Sequence, residues 1–443
     1  MQNQAEINRV KQIVQQLLDE AKQQGASGAE AAFSVDNGLS VTARLGEVET
    51  VEYHCDQGIG VTVYFGQKKG AASTNDISAE SLKETVKAAC SIARYASDDE
   101  YAGLPDQECL ATAFPDLDLF HPWAIDAEQA IKLAIECEQA ARSYHTAINN
   151  SEGATVDTHQ SLRVFGNSLG FLQGRQSSRH SLSCAVLAGS GDSMQRDYWY
   201  SVARNAADLE SATRVGEKAA QRTVARLDAR SLSTRNCPVL LAPEMASGLI
   251  GALIGAISGG SLYRKASFLL DSLNTQVLPD FVRIHEQPFL KGALGSANYD
   301  AEGVATQARD IVSEGILKSY VLSSYSARKL GMQTTGNASG VHNLTVEAGG
   351  DNADDLLKRL GTGLLVTELM GQGVNRVTGD YSRGASGFWV ENGIIQYPVQ
   401  EITIAGNLKT MLRNIVAIGN DVDLRSNIRV GSILLEQMSI AGE

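Results

Sequence analysis

The histidines of this sequence are too far apart for neighbouring positions to hold a catalytic metal. The seven are His54, His121, His145, His159, His180, His285 and His342, and no two lie within six residues of each other. Zinc sites in hydrolases usually take two ligands from one helical turn, which brings both nitrogens to about 2.0–2.1 Å from the metal. We therefore do not expect this chain to act alone as a metalloenzyme. A site assembled from distant residues is left open.

Two polar segments offer other chemistry. His342 lies in a glycine-bounded segment, but no neighbour supplies an acid–base partner, which favours a structural histidine over a catalytic one. Ser326 and Lys329 form a Ser-x-x-Lys pattern, in which the lysine could deprotonate the serine. The companion Ser-Asp-Asn and Lys-Thr-Gly sequences are absent, so we interpret this segment as a strand end running into a polar turn. Serine acyl-enzyme chemistry at Ser326 is the alternative.

Glycine-rich segments give no phosphate site. Residues 361–363 and 371–373 read Gly-x-Gly, without the third glycine and the lysine that a phosphate cradle needs, and we interpret both as turns. The nearby residues 380–383, Asp-Tyr-Ser-Arg, form a polar island between glycines. This island suits a turn or a contact surface equally well.

Composition limits the classes of partner. The 443 residues carry a formal net charge of −13, which argues against nucleic acid or an anionic membrane as a main partner but leaves a local basic patch open. Residues 1–20 lack the apolar core of a signal peptide. The longest apolar run, 246–257, is about twelve residues, short of the roughly 20 that span a bilayer, and we interpret it as a buried helix. Six cysteines without Cys-x-x-Cys spacing suggest reduced thiols in a cytoplasmic protein.

Hydrophobic periodicity predicts the elements of the first half. An amphipathic helix over 7–21 precedes short alternating strands with a hairpin turn at 66–70. A helix follows over 78–95, predicted to bury Leu82, Val86, Ala89 and Ile92. Asp126 and Gln129 have capping-box spacing ahead of a helix to about residue 144. Short strands separated by glycine and serine follow over 147–205, and then a helix over 208–227. The same order of elements thus appears twice in weak form.

These patterns predict an α+β fold with two domains. Residues 1–227 form an N-terminal helix and antiparallel-sheet domain, with a proline-punctuated subdivision near 100–124, and 228–236 is the best linker. Residues 232–443 form a mostly β C-terminal domain, beginning with a buried strand at 237–241. A helix is expected over 351–360, and Asn392-Gly393 between apolar runs predicts a hairpin.

Several sequence motifs in the second half, and the order in which they occur, resemble the PmbA/TldE branch of the TldD/PmbA family. This family was once described as modulators of DNA gyrase and is now associated with peptide hydrolysis. The motifs are GAISGG (255–260), YRK (263–265), LSSYSARKLG (322–331), TGN (335–337), VTELMGQG (366–373), TGDYSRG (378–384) and IAGNLK (404–409). The resemblance covers residues 238–443 clearly and extends to the first half in length and element order. It implies a TldD/PmbA-like fold.

The resemblance also implies that metal ligands are missing. In the TldD branch a His-Glu-x-x-x-His motif precedes the Arg-Lys pair, and its two histidines and a later cysteine are the expected ligands. Counting back from Arg264, the two histidine positions fall on Gly251 and Ala256 and the glutamate position on Ala252. None of these side chains can bind a metal or move a proton. No cysteine follows Cys237, and the equivalent region is 427–431.

The resemblance therefore implies a TldE-like subunit that pairs with a zinc-bearing TldD-type chain. The expected complex is a heterodimeric peptidase that degrades unfolded peptides or matures peptide precursors, with no metal or cofactor in this chain. Self-association of the isolated chain is left open. Residues expected to line the chamber or the subunit contact are Ser323, Ser324, Tyr325, Arg328, His342, Asn343, Asp380 and Tyr381. The alternative for each of these residues is a structural role in turns and strand ends. The alternative for the whole chain is a non-hydrolytic modulator that binds another protein.

Overall fold

The first half of the chain contains two sets of elements in the same order: helix, three strands, helix. The computed structural model describes residues 2–442. The first set is α1 (Gln2–Gln23), β1 (Gly28–Arg44), β2 (Glu47–Phe65), β3 (Lys68–Thr74) and α2 (Ala79–Tyr95). The second set is α3 (Ala127–Tyr144), β4 (Ile148–Asn167), β5 (Leu172–Ala188), β6 (Gln195–Ala203) and α4 (Ala212–Ala225).

The six strands form one antiparallel sheet in the order β3-β2-β1-β4-β5-β6. The two sets therefore meet at the central pair, β1 and β4. Alternate residues of each strand face the helices: α1 and α2 cover one end of this face, and α3 and α4 cover the other. The opposite face turns towards the second half of the chain, where Phe171 packs edge-on against Tyr299 at 5.0 Å.

Side-chain caps begin α2 and α3, and the cap of α3 is the predicted one. Ser78 caps α2 by accepting from the Ser81 N–H, and Asp126 and Gln129 form the predicted capping box of α3. One predicted core residue is wrong, because Ile92 is 51% exposed.

The strands are longer than the sequence suggested. Strands β1, β2, β4 and β5 run for 17, 19, 20 and 17 residues. Glycines that read as breaks lie inside them. Gly153, at φ 101°, lies in β4 where the register with β5 shifts, which marks a bulge in a continuous strand.

The second half contains two further sheets and five helices among the described residues. In chain order its elements are β7 (Arg235–Leu241), α5 (Pro243–Ala256), α6 (Gly259–Tyr263), β8 (Ile284–Glu286), β9 (Arg309–Ser313), β10 (Ile316–Leu317), α7 (Ser324–Lys329), β11 (Leu344–Val346), α8 (Ala353–Leu360), β12 (Gly363–Met370), β13 (Asp380–Glu391), β14 (Ile394–Asn407), α9 (Leu408–Arg413), β15 (Ile415–Ile418), β16 (Ile428–Arg429) and β17 (Ile433–Ala441).

One sheet of this half has the order β10-β9-β8-β11-β16, and the other has the order β14-β13-β12-β7-β17-β15. Strand β14 also pairs with β17, so the second sheet closes on itself. The predicted hairpin is confirmed: Asn392 and Gly393 have φ of 52° and 75°, as a tight turn between β13 and β14 requires. Together the elements confirm the predicted α+β class and the mostly β second half.

No helix in the described part of the chain is both long and apolar enough to cross a membrane.

Candidate functional site

Helix α5 carries Gly251, Ala252 and Ala256, the three residues onto which the sequence resemblance maps the metal motif. It begins with Pro243, whose fixed φ suits the first helical turn. Leu249, Ile250 and Leu253 are buried in the main core of the second half, which fixes the orientation of the helix. The other side of α5 presents small residues, beginning with the exposed Gly248.

A cavity of about 870 Å³, here called the α5 groove, lies along this small-residue side. Its floor includes Gly251 and Ala252, whereas Ala256 is fully buried. Its walls come from the loop before β13 and from β13 itself, and are formed by Gln372, Gly373, Val374, Asn375, Arg376, Asp380 and Ser382. Two of the three motif positions therefore border an open groove.

The groove does not fit a catalytic zinc site. Gly251, Ala252 and Ala256 have no ligating atoms, and no group of three or more His, Cys, Asp or Glu side chains suited to a metal occurs in residues 2–442. A Cβ added at Gly255 would lie 3.0 Å from Nε of Arg376, so the guanidinium lies directly over the helix. The side chains present can bind a peptide, but they offer no metal-activated water.

Asp380 is the one carboxylate among the residues lining the groove, and it is already hydrogen bonded. Its Oδ2 accepts from Thr378 Oγ1 at 2.6 Å and its Oδ1 from Asn407 Nδ2 at 3.3 Å. The adjacent Tyr381 points into the core, where it is 6% exposed and burial raises its pKa. Asp380 thus belongs to the groove, and Tyr381 supports it from below.

The Ser-x-x-Lys segment is a short helix, α7, and not the polar turn that we expected. Ser323 and Ser326 form a capping box, in which Ser326 Oγ accepts from the Ser323 N–H at 3.0 Å. The Nζ of Lys329 lies 4.1 Å from the ring centroid of Tyr101. The serine is therefore used in a helix cap while the lysine stacks on an aromatic ring, which gives no support to a serine nucleophile with a lysine base.

Other predicted site residues on α7 contact the segment that connects the two sets of elements in the first half. Tyr325 donates to Asp99 Oδ2 at 2.8 Å, and this hydrogen bond raises the pKa of Tyr325 to about 12. Arg328 donates to the carbonyls of Tyr101, Gly103 and Leu104. Ser324 is buried, and its N–H donates to Glu302. These contacts are within the chain, and their part in a chamber or subunit contact stays a prediction.

His342 and Asn343 are buried at a junction of loops. The His342 N–H donates to Glu286 Oε1 at 2.7 Å, and burial lowers the pKa of the imidazole. Its Nε2 is buried and has no hydrogen-bond partner among the described residues. Asn343, 1% exposed, donates to Ser296 Oγ and to the Gln287 carbonyl. Asn343 holds the loops together, while His342 lines a second cavity.

This second cavity, here called the cationic pocket, was missed by sequence reasoning. It has a volume of about 390 Å³ and lies between the open face of the first sheet and the loops of the second half. Its charged and titratable lining residues are His159, Arg163, Arg175, Arg179, Arg204 and His342. The signal in the sequence was alternation, because Arg175-x-Ser177-x-Arg179 on one strand mirrors His159-x-Ser161-x-Arg163 on its neighbour.

Arg204 joins this pocket to the second half of the chain. It donates to the carbonyls of Ser178 and Leu294, at 2.9 and 2.6 Å. Burial, followed by the charges of Arg175 and Arg179, lowers its pKa to about 10. The guanidinium therefore remains charged at neutral pH and adds to the positive field of the pocket.

Comparison with known proteins identifies the family. Models of domain 1, the central domain and the C-terminal domain of PmbA/TldA metallopeptidases match residues 29–93, 120–227 and 234–442. Metalloprotease PmbA of Escherichia coli O157:H7 is 54% identical over 94% of this chain and 93% of its own. This chain belongs to the PmbA/TldD metallopeptidase family. A PmbA homologue of Haemophilus influenzae is 51% identical over 99% of this chain and 97% of its own.

Solved structures of PmbA/TldD-like proteins have the same fold. A candidate modulator of DNA gyrase from Bacteroides thetaiotaomicron superposes with a TM-score of 0.93 at 29% identity, over 98% of this chain and 99% of that one. TldE from Thermococcus kodakarensis superposes with a TM-score of 0.82 at 18% identity, over 97% of this chain and all of that one. The predicted TldD/PmbA-like fold is therefore confirmed. TldD homologues are more distant in sequence, at 22–23% identity.

Proposed function

We propose that this chain is the metal-free subunit of a two-chain PmbA/TldD-family peptidase. A TldD-type chain would supply the zinc, and the complex would degrade unfolded peptides or mature peptide precursors. The observation that carries the proposal is the α5 groove, which is lined by Gly251 and Ala252, the residues that the sequence resemblance puts at the first histidine and glutamate positions of the metal motif. A groove without ligands or base can hold a peptide for chemistry that another chain performs.

An exposed strand edge suits the partner. Residues 47–57 of β2 pair with β1 and with no other described strand, because β3 begins its pairing only at Ile59. All eleven are exposed, and Val48, Val51 and Tyr53 are 45, 40 and 70% exposed. A long edge with apolar side chains is a ready surface for adding a strand from another chain. We assign this edge to the TldD-type partner.

We place the complex in the cytoplasm. The basis is the state of the cysteines: all six are free, and Cys90, Cys137, Cys184 and Cys237 are buried. Free thiols in a chain of this size are typical of a reducing compartment.

The test is reconstitution with a His-Glu-x-x-x-His relative from the same organism. We expect chelator-sensitive cleavage of an unstructured peptide from the mixture and none from this chain alone. Val51→Lys should remove most of the activity of the mixture, because a charge on the partner-facing edge opposes docking. Ile92→Lys is the matched control, since Ile92 is also exposed, at 51%, but lies on helix α2.

Two outcomes would overturn the proposal. Stoichiometric zinc binding and chelator-sensitive cleavage by the purified chain alone would make it a self-sufficient enzyme. Stable co-purification with the relative, without peptidase activity on mixing, would point to a non-hydrolytic binding protein instead.

A further inference from the structure

The cationic pocket contains two arginines placed opposite each other on neighbouring strands. In the register of β4 and β5, Arg163 is paired with Arg175 and His159 with Arg179. These residues alternate with others that face the helices, so all four lie on the open face of the sheet. Like charges directly across a strand pair destabilise a sheet. An arrangement that costs stability in the free protein points to a ligand that neutralises it.

Arg175 makes this cost larger because it is mostly buried. None of its guanidinium nitrogens donates a hydrogen bond to any residue that the structure describes, and its one side-chain contact of note is the Tyr299 ring at 5.6 Å. Burial lowers its pKa. An unpaired, desolvated guanidinium is unfavourable unless an anion accompanies it.

The nearby acids leave most of the positive charge unpaired. Asp36 lies 3.1 Å from His159 and 3.9 Å from Arg163. Within the described residues, no carboxylate forms an ion pair with Arg175, Arg179 or Arg204. The pocket therefore keeps three uncompensated guanidinium groups around a small volume.

A further cavity of about 460 Å³, less polar and here called the adjoining cavity, lies next to the cationic pocket. The two share Arg163 and Arg175 as a common wall. Phe165 and Tyr299 line the adjoining cavity. Gly58, on the sheet, also lines it, and its lack of a side chain leaves space there. The combined shape suits a ligand with an anionic group attached to an apolar side chain.

The one carboxylate among the residues lining the adjoining cavity is Asp300, and it already accepts hydrogen bonds. Its oxygens accept from the backbone N–H groups of Glu302, Val304 and Ala338. The carboxylate is therefore held by backbone groups, and it forms no ion pair with Arg163 or Arg175.

We propose that the cationic pocket binds a carboxylate of the peptide substrate while the adjoining cavity takes the apolar side chain beside it. Guanidinium groups match a planar carboxylate through paired N–H donors. Asn427 lines the pocket, and the side chain of the next residue, Ile428, lies 3.7 Å from a Cβ built at Gly251 of the α5 groove. The pocket and the groove are therefore close to each other at this point of the chain. The inference rests on the proposed function, which supplies the peptide.

The test measures binding of fluorescent unstructured peptides to the full chain by anisotropy. Three peptides that end in leucine are compared. The first has a free terminal carboxylate, the second has the same sequence with a terminal amide, and the third differs from the second only by a glutamate beside the leucine. We expect the amide without glutamate to bind at least about tenfold more weakly than the tighter of the other two. Which of those two binds more tightly identifies the carboxylate as terminal or side-chain.

Variants connect this binding to the pocket. Arg175→Met and Arg179→Ala should each weaken binding of the carboxylate peptide about tenfold and leave the plain amide unchanged. Arg142→Ala is the matched control, because Arg142 is an exposed arginine on α3, on the other side of the sheet. Arg175→Met should unfold at or above the temperature of the wild type, since it removes an unpaired buried cation.

Equal binding of all three peptides would overturn the inference, as would normal binding by both pocket variants. Saturable binding of inorganic phosphate without binding of either carboxylate peptide would overturn it in favour of a phosphate ligand. Because the assay uses this chain alone, a failure to form an active peptidase with a TldD-type chain would count against the proposed function and not against the pocket.

Discussion

At the scale of single residues, burial sets the charge state of Asp300. The side chain is 3% exposed, and burial raises its pKa to about 6 although three backbone N–H groups favour the charged form. In the unfolded chain its pKa is near the ordinary 3.8. Between these values the folded protein holds the proton more tightly than the unfolded chain does.

Asp300 should therefore lower stability as pH rises. The free energy of unfolding of the wild type, measured against Asp300→Asn by urea titration, should fall by up to about 3 kcal/mol between pH 4 and pH 7. The loss should occur mainly between pH 4 and pH 6. Asp98→Asn, at an exposed site, controls for the change in net charge. A difference that stayed constant or grew with pH would contradict the assignment.

At the scale of elements, sequence reasoning worked where local chemistry decides. The capping box of Asp126 and Gln129 and the Asn392-Gly393 hairpin depend on residues a few positions apart, and both are confirmed. It failed where distant pairing decides. Gly153 read as a break because the bulge that accommodates it needs β5 as a partner. Helix α7 is an exception to this division, because it read as a turn although its capping box joins Ser323 and Ser326, only three residues apart.

The candidate site divides in the same way. The small residues at Gly251 and Ala252 could be located by counting along the chain, and the structure places both at one groove. The cationic pocket could not be located, because the pairing of Arg163 with Arg175 exists only in the register of β4 and β5. Arg204 directly follows β6, the strand after β5, and lies beside these two arginines only in the folded sheet.

The packing of α3 on α4 depends on one glycine. A Cβ at Gly216 of α4 would lie 2.1 Å from the Cys137 carbonyl oxygen of α3, so the helices must separate if it is added. Gly216→Ala should lower the free energy of unfolding by about 1–3 kcal/mol. Gly248→Ala, on the open side of α5, should instead raise it by about 0.5–1 kcal/mol. Urea unfolding of both variants tests this, and effects of the same sign would contradict the close contact.

At the scale of the whole molecule, Arg425 joins the two halves of the chain. Its guanidinium lies 4.0 and 4.6 Å from the ring centroids of Trp199 and Tyr200 in the first half. It also donates to Glu244 at 3.0 Å and to both oxygens of Asp423, at 2.8 and 3.1 Å. One side chain thus contacts a strand of the first sheet, the start of α5 and its own loop.

Removing Arg425 should be costly because its acidic partners are also partly buried. We expect Arg425→Ala to lower the free energy of unfolding by about 3–5 kcal/mol, and Arg425→Lys by less, since an ammonium keeps the charge but loses the paired donors. Arg359→Ala breaks an arginine–aspartate pair at a more exposed site and should cost about 0–1 kcal/mol. Equal losses in urea unfolding of the Arg425 and Arg359 alanine variants would contradict this role.

The central position of β1 has a consequence for protein synthesis. Strand β2 follows β1 directly, whereas β4, its other neighbour, follows roughly a hundred residues later. At about 5–20 residues per second, on the order of 10 s separates the two events. During that interval one edge of β1 has no partner on the ribosome. Rapid overexpression should therefore favour pairing between nascent chains, and slower translation should favour closure of the sheet within each chain.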